Sequence, residues 1–226
     1  MNFLSHFYFE KDNPDPYQVM GTVLPDLIKN AAKDWNFYPQ KKEALFEDDP
    51  FLNSLLIGWK KHLEVDRFFH SSTFFLEETA QLKKLVVPIL EDSPVRPSFL
   101  AHIGLELMLD HLLVEQNLIN ITSFYDQLAR VNDQILHTFL QKAGAEDSAH
   151  FFRFLESFKS SRYLLSYQKI ENISYALQRI CMRLWTHPFS EDSIGQLTHQ
   201  LSSYKLTLEK NYLNIFREMA LNLKSN

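Results

Sequence analysis

The sequence predicts an all-α protein. Apolar residues recur at helical spacing along most of the 226-residue chain, and prolines and polar capping residues separate these stretches. Glycine is scarce, with 5 residues, which disfavours β-sandwiches and glycine-rich phosphate loops as organising features. The sequence contains no linker rich in Gly, Ser or Pro. We therefore expect one multi-helix domain that covers residues 1–226.

The clearest helix is predicted for residues 50–72. Asp49 is the expected N-cap and Pro50 the first helical residue. The apolar residues that follow at helical spacing are Leu52, Leu55, Leu56, Trp59, Leu63 and Phe69.

Further helices are expected between caps, glycines and prolines. They cover residues 73–90, 97–116, 123–143, 148–158, 169–185 and 191–224. Thr122 or Ser123 is the expected cap of the third of these, and Gly144 its end. The sequence around His6 suits a strand or a buried helix start, and Pro25-Asp26 suits a turn or a helix N-terminus.

Charge and cysteine content restrict the classes of function. A formal net charge of −5 argues against broad nucleic-acid binding, which needs a basic surface. Cys181 is the only cysteine, so no intrachain disulfide forms. We find neither a signal peptide nor an apolar run of the ~18–20 residues that a membrane span requires. We expect a cytoplasmic protein without membrane insertion, and the sequence does not indicate an oligomeric state.

Two predicted helices carry potential metal ligands at four-residue spacing. His62 and Asp66 lie ~40° apart around a helix and one turn along it, so both can reach one ion. His70 continues this stripe by one turn. His102 and Glu106 repeat the spacing.

Asp110 extends the second stripe, while its neighbour His111 is turned by ~100°. The flanking residues are apolar, and burial of unpaired charge among them would be costly. A shared divalent cation would offset that cost, since imidazole and carboxylate groups are its usual ligands. His6 and Asp26 form a third group, which says little alone.

Each pair also has a common structural explanation that involves no metal. A single HxxxD or HxxxE pair arises by chance and usually marks a surface helix pair or a hydrogen-bonded core histidine. Two pairs in apolar helices, with a third group, favour a metal. For the remaining histidines we expect surface or packing roles: His137, His150, His187 and His199. No serine hydrolase, nucleotide-binding or redox-disulfide motif is present.

Four segments occur in a recognisable order: MNFLSH at the start, GTVLPD at 21–26, GWKKHLEVD at 58–66 and ELMLDHL at 106–112. With these segments the chain resembles the bacterial acyl carrier protein phosphodiesterases over nearly its whole length. The resemblance implies a helical fold distantly related to the HD-domain metal phosphohydrolases. It also implies dependence on a manganese-type ion and removal of 4′-phosphopantetheine from the serine of holo acyl carrier protein.

The resemblance and the spacing together give an expected site for one or two divalent ions (Mn, Zn or Fe), built before about residue 115. The expected ligands are His6, Asp26, His62, Asp66, His102, Glu106, Asp110 and His111. Asp26 and Asp110 are the expected catalytic carboxylates, which would orient a water or act as general base. His70 is expected to contact the ligands without binding the ion itself.

The chain departs from the family pattern at several positions. Lys60, Leu63 and Glu64 replace the family's histidine and basic residues. His70 replaces an acidic residue, and the family lacks the histidine that is His102 here. The resulting HxxxD and HxxxE pairs are similar to those of the zinc-dependent phospholipases C and single-strand nucleases, a first alternative. The second alternative is a non-catalytic helical binding protein that has kept the fold.

The resemblance implies acyl carrier protein as the partner. Acyl carrier proteins are strongly acidic, so docking needs a local basic surface. The basic residues that cluster in sequence around the predicted site are Lys29, Lys33, Lys60, Lys61 and Arg67. Their ordinary interpretation is a solvated helix face.

Overall fold

The computed structural model describes residues 1–225 of the chain. Of the chain, 75% is helical, and the described residues contain no strand. The predicted all-α class is therefore confirmed. The likeness of this fold to that of HD-domain proteins stays a prediction.

The α-helices are α1 (Phe3–Tyr8), α2 (Pro16–Ala31), α3 (Pro50–Ser71), α4 (Thr73–Val86), α5 (Pro97–Glu115), α6 (Ile121–Ala129), α7 (Asp133–Ala143), α8 (Ala149–Ser161), α9 (Ile170–Cys181), α10 (Glu191–Leu208) and α11 (Tyr212–Ser225). Short 3₁₀ segments lie at Pro39–Lys41, Glu43–Leu45, Val87–Leu90 and Tyr163–Gln168.

Several predicted boundaries are confirmed by their hydrogen bonds. α3 begins at Pro50, where Asp49 Oδ1 accepts from the backbone N–H groups of Phe51 at 2.8 Å and Leu52 at 3.1 Å. Gly144 ends α7 with a φ of 122°, a conformation that glycine adopts without steric cost.

Other boundaries were predicted wrongly. The helix expected over 123–143 is two helices, because Asn132 caps a new helix with its side chain on the N–H of Gln134 at 2.8 Å. The preceding helix is capped by Asn120, whose side chain accepts from the N–H of Ser123 at 3.0 Å. The helix expected over 191–224 is also divided, into α10 and α11.

Two ambiguous segments before residue 50 are helical. His6 lies within α1, so the strand alternative is wrong for that segment. Pro25 lies inside α2, so Pro25-Asp26 is neither a turn nor a helix start. Because Pro25 has no N–H, the carbonyl of Gly21 lacks its usual partner four residues later in that helix.

The chain forms two compact units. The first unit comprises residues 1–5, 67–118 and 165–225, and the second comprises residues 6–66 and 119–164. In the first unit, α5 packs against α4 and α9, and α10 packs against α9 and α4. In the second unit, α2 packs against α6 and α8. The expectation of one domain over 1–226 stays a prediction.

Within the second unit, α2 and α3 approach each other closely at two glycines. A Cβ atom at Gly58 would collide with the backbone carbonyl of Gln18 and the backbone nitrogen of Thr22. One at Gly21 would collide with the carbonyl of Leu55. The crossing therefore depends on two residues without side chains.

Among the described residues, α5 alone is long and apolar enough to cross a membrane, so the expectation that no run of that length exists is wrong for this helix. Its most apolar window is 67% buried inside the protein, and core helices meet the same criteria. Leu105, Met108, Leu109 and Leu112 are fully buried along this helix. Packing within the first unit therefore accounts for its hydropathy.

Candidate metal centres

The first centre, here called the His62 centre, consists of His6, His62, Asp66 and Asp26, all in the second unit. The ligand-type atoms of the first three lie within 4.8 Å of one another. His6 Nε2 is 3.3 Å from Asp66 Oδ1, and His62 Nε2 is 3.8 Å from Asp66 Oδ2. His62 Nε2 is also 4.0 Å from Asp26 Oδ1. Helices α1, α2 and α3 thus each contribute to this centre.

The orientation of His62 is set by the backbone of α2. Its Nδ1 lies 2.9 Å from the carbonyl oxygen of Thr22. A carbonyl only accepts, so Nδ1 carries the proton and donates, and Nε2 keeps its lone pair in the neutral ring. Nε2 is the atom that faces Asp26 and Asp66. A carbonyl that fixes the tautomer in this way is typical of metal-binding histidines.

Burial favours the neutral ring. The pKa of His62 is lowered well below its ordinary value, chiefly by burial and further by the neighbouring His6. The two imidazoles stack with ring centroids 3.9 Å apart and an interplanar angle of 19°. His62 therefore offers a lone pair rather than a positive charge at neutral pH.

Asp66 is held in its ionised form. Burial opposes ionisation, but the hydrogen bond from His6 and the nearby positive charges, including that of His6, outweigh this effect. The pKa of Asp66 therefore falls below the ordinary range. The donor set of the His62 centre is two imidazoles with ionised Asp66 and the half-buried Asp26. This mixture of nitrogen and carboxylate oxygen suits Zn²⁺, Mn²⁺ or Fe²⁺.

The second centre, here called the His102 centre, consists of His70, His102 and Glu106 in the first unit. Glu106 Oε1 lies 3.2 Å from His70 Nε2 and 3.1 Å from His102 Nε2. The two Nε2 atoms are 3.2 Å apart. The ring of Phe75 makes a T-shaped contact with both imidazoles, with its centroid 4.9 Å from that of His70 and 5.0 Å from that of His102.

Glu106 is also ionised. Burial alone would raise the pKa of Glu106. The amino group of Met1 and the hydrogen bonds from His102 and His70 have a larger effect in the opposite direction, and the pKa lies well below the ordinary range. His70 was expected to contact the ligands rather than the ion, but its Nε2 lies beside His102 Nε2 and Glu106 Oε1, in a position to bind the ion itself.

Asp110 belongs to neither group and anchors the start of the chain. Its Oδ1 accepts from the N–H of Ser5 at 2.7 Å and the hydroxyl of Ser5 at 2.6 Å. Its Oδ2 accepts from the side chain of Asn2 at 2.9 Å and the N–H of Leu4 at 3.2 Å. Burial raises the pKa of Asp110 to about 7, although these hydrogen bonds favour the ionised form. Because every partner is a donor, we assign an ionised carboxylate that secures the first turn of α1.

His111 is also placed apart from both three-residue groups. Its Nδ1 donates to the carbonyl of Tyr167 at 2.7 Å, and its Nε2 lies 3.9 Å from Glu115 Oε2. Burial lowers the pKa of His111. The expected ligand roles of Asp110 and His111 stay predictions that this arrangement does not support directly.

Three of the basic residues expected at a docking surface have partners within the protein. Lys61 Nζ lies 2.6 Å from the buried Glu10 Oε1 and donates to the carbonyl of Phe9 at 3.0 Å. Lys29 Nζ donates to the carbonyl of Trp35 at 2.7 Å. Lys60 pairs with the exposed Glu43 at 2.9 Å, while Arg67 is exposed.

Sequence reasoning missed two groups in the second unit. The carbonyl of Thr22 is a backbone atom and has no residue-type signal. Glu10 is 2% exposed and holds Lys61 and the side chain of Asn13, an arrangement that no local spacing indicates. His137 Nδ1 lies 2.7 Å from Ser148 Oγ, and His150 Nε2 lies 2.8 Å from the carbonyl oxygen of Ala31.

One family profile, described as acyl carrier protein phosphodiesterase, matches residues 1–219. The chain belongs to this family. The family name implies a hydrolase of phosphodiesters, with acyl carrier protein as the substrate partner. Comparison with curated proteins and with solved structures gives no significant match.

Proposed function

We propose that the protein is a metal-dependent phosphodiesterase that cleaves the 4′-phosphopantetheine–serine phosphodiester of holo acyl carrier protein. The observation that carries the proposal is the convergence of His6, His62 and Asp66 in a chain of this family. Two imidazoles and a carboxylate with adjacent ligand atoms are the donor set of hydrolytic metal sites.

His6, His62 and Asp66 would hold the ion, with Asp26 at its edge. A divalent ion at this position would polarise the phosphoryl oxygens and lower the pKa of a bound water. Neighbouring residues of the protein orient the His62 imidazole. Thr22 holds the His62 ring through Nδ1, and the stack with His6 restricts its rotation.

Asp26 is the proposed general base. It stands one turn beyond Thr22 on α2, and its Oδ1 is 4.0 Å from His62 Nε2. Its side chain is 26% exposed, although its Oδ2 is buried. A partly exposed carboxylate beside the ligands can orient a water and accept its proton. Asp110 is less suited to this role, because four donors occupy its oxygens.

The test of the proposed function is hydrolysis of holo acyl carrier protein by the purified protein. We expect conversion to the apo form, seen by mass spectrometry as the loss of one phosphopantetheinyl group. Treatment with EDTA should abolish the conversion and Mn²⁺ or Zn²⁺ should restore it. Single-stranded DNA and phosphatidylcholine serve as competing substrates.

Hydrolysis of either competing substrate without conversion of holo acyl carrier protein would transfer the assignment to the nuclease- or phospholipase-like alternative. A metal-loaded protein inactive on all three substrates would instead favour the non-catalytic binding protein.

Docking of the acidic partner is proposed to use Lys60 on the outer face of α3. Its ion pair with Glu43 is exposed, so the pair contributes little to stability and can exchange for a partner carboxylate. Lys61 is less suited, since its ammonium neutralises the buried Glu10. Electrostatic attraction of this kind acts mainly on the association rate.

Lys60→Glu is therefore expected to raise KM for holo acyl carrier protein severalfold and to leave hydrolysis of bis-p-nitrophenyl phosphate nearly unchanged. Steady-state kinetics on the two substrates measure this. Lys210→Glu on the first unit is the matched control, with no change expected on either substrate. An equal loss on both substrates in the Lys60 variant would contradict a docking role.

A further inference from the structure

We propose that His70, His102 and Glu106 bind a transition-metal ion of the zinc type as a site of their own. This inference goes beyond the proposed function and does not rest on it. None of the three residues is a member of the His62 centre.

The positions of the three ligand atoms carry the proposal. His70 Nε2, His102 Nε2 and Glu106 Oε1 form a nearly equilateral triangle with sides of 3.1 to 3.2 Å. Tetrahedral ligands at the usual zinc distances of about 2.0–2.1 Å are separated by about 3.3–3.4 Å. One ion can therefore bind all three atoms after a shift of only a few tenths of an ångström.

The elements that carry these atoms favour the same conclusion. His102 and Glu106 are four residues apart on α5, so both side chains leave the same face of the helix. His70 comes from the last turn of α3. The ring of Phe75 lies in a T-shaped contact with each imidazole, at interplanar angles of 78° and 80°, and limits their rotation. Ligands from two helices with restricted rings form a prepared site rather than a chance surface pair.

Charge and access also fit a cation. The side chain of Glu106 is only 15% exposed, so its carboxylate offers a negative charge from a largely buried position. The side chains of His70 and His102 are 31% and 44% exposed, which leaves an open approach for an ion and its water. Oε1 also lies 3.2 Å from the amino group of Met1, a contact that another lone pair of the carboxylate can serve.

The ligand set determines the class of ion. Two imidazole nitrogens with one carboxylate oxygen favour Zn²⁺ and its first-row neighbours over Mg²⁺ or Ca²⁺, which prefer oxygen alone. Three protein ligands leave a fourth tetrahedral position for water, the pattern of a reactive rather than a purely structural zinc site. The alternative arrangement has both Nε2–H groups donating to Glu106 Oε1 with no ion. The first arrangement holds one metal ion per chain at this site and the second holds none, so a measurement of metal content distinguishes them.

The experiment compares zinc content in paired variants of the full chain. The protein is stripped with a chelator, reloaded with excess Zn²⁺, desalted and analysed by elemental mass spectrometry. We expect His102→Ala and Glu106→Gln each to lose one zinc ion per chain relative to the unmodified protein. His62→Ala and the His62→Ala, His102→Ala double variant should differ by the same one ion. Replacement with Co²⁺ should give a visible absorption band that disappears in the same variants.

His199→Ala is the matched control, because His199 is an exposed histidine of α10 in the same unit. It should retain the full zinc content. Circular dichroism checks that each variant is folded, and the nearly isosteric Glu106→Gln decides the question if His102→Ala is unfolded. Equal zinc content in the unmodified protein and the folded variant would overturn the proposal. Loss of all zinc on substitution of His102 alone would overturn the independence of the site.

Discussion

Alanine at His62 is expected to lower kcat/KM for phosphodiester hydrolysis by more than about 100-fold. Loss of a group that merely orients a metal ligand costs about 10- to 100-fold, and loss of the ligand itself should exceed this. His62 Nε2 faces both Asp26 and Asp66, at 4.0 and 3.8 Å. Without it, two carboxylates lose the neutral nitrogen donor between them. The metal content of the His62 centre should fall together with activity.

A second variant separates the ligand role from the structural role of this residue. His62→Asn keeps a side-chain N–H that can donate to the Thr22 carbonyl, but it has no atom in the place of Nε2. We expect it to retain most of the thermal stability and to lose activity as fully as His62→Ala. Recovery of activity in the asparagine variant would show that His62 is needed only for its contact with α2.

Alanine at His150 or His199 should change neither metal content nor activity. His150 contacts the carbonyl of Ala31 from an exposed position, and His199 is exposed on α10. Loss of activity in a folded His150 variant would place the active site elsewhere.

The ligand stripes could be predicted because they depend only on helical periodicity. His62 and Asp66, like His102 and Glu106, are neighbours on one helix face whatever the tertiary structure. The grouping of the stripes could not be predicted in the same way. His70 continues the His62 stripe in sequence, yet its Nε2 lies beside His102 and Glu106. Contacts between helices depend on packing, which four-residue spacing does not specify.

The same limit applies to Asp110 and Lys61. Asp110 follows the ligand stripe of α5, but its two oxygens accept from residues 2, 4 and 5, more than a hundred positions away. Lys61 seemed available for docking, but it neutralises Glu10, 51 positions earlier. In both cases a buried charge takes a distant partner, since an unpaired charge in the interior would be too costly.

The crossing of α2 and α3 links the fold of the second unit to the His62 centre. Gly58 and His62 are four residues apart on α3, and Thr22 and Asp26 are four residues apart on α2. The backbone contact at Gly58 and the hydrogen bond between His62 and Thr22 are therefore one turn apart along the same pair of faces. Separation of the helices at the glycine would also draw Asp26 away from His62.

Gly58→Ala is accordingly expected to lower the free energy of unfolding by about 3 kcal/mol or more, at the upper end of the cost of overpacking. The three atoms nearest to the new Cβ would be backbone atoms of Gln18, Gly21 and Thr22, and no side-chain rotation can relieve these collisions. For a chain of this size the loss corresponds to a fall of about 6–12 °C in Tm, measured by calorimetry. Metal affinity at the His62 centre should fall as well, because the shift separates its ligands.

Gly195→Ala on α10 is the matched control for this prediction. A Cβ at Gly195 meets no atom within 4 Å, and the residue is exposed in a helix interior. The same chemical change should therefore raise stability by about 0.5–1 kcal/mol, since alanine loses less backbone entropy on helix formation. The two variants are thus expected to shift Tm in opposite directions. A Gly58→Ala protein as stable as the unmodified one, with the His62 centre still loaded, would show that α2 and α3 do not need this close approach to hold the site.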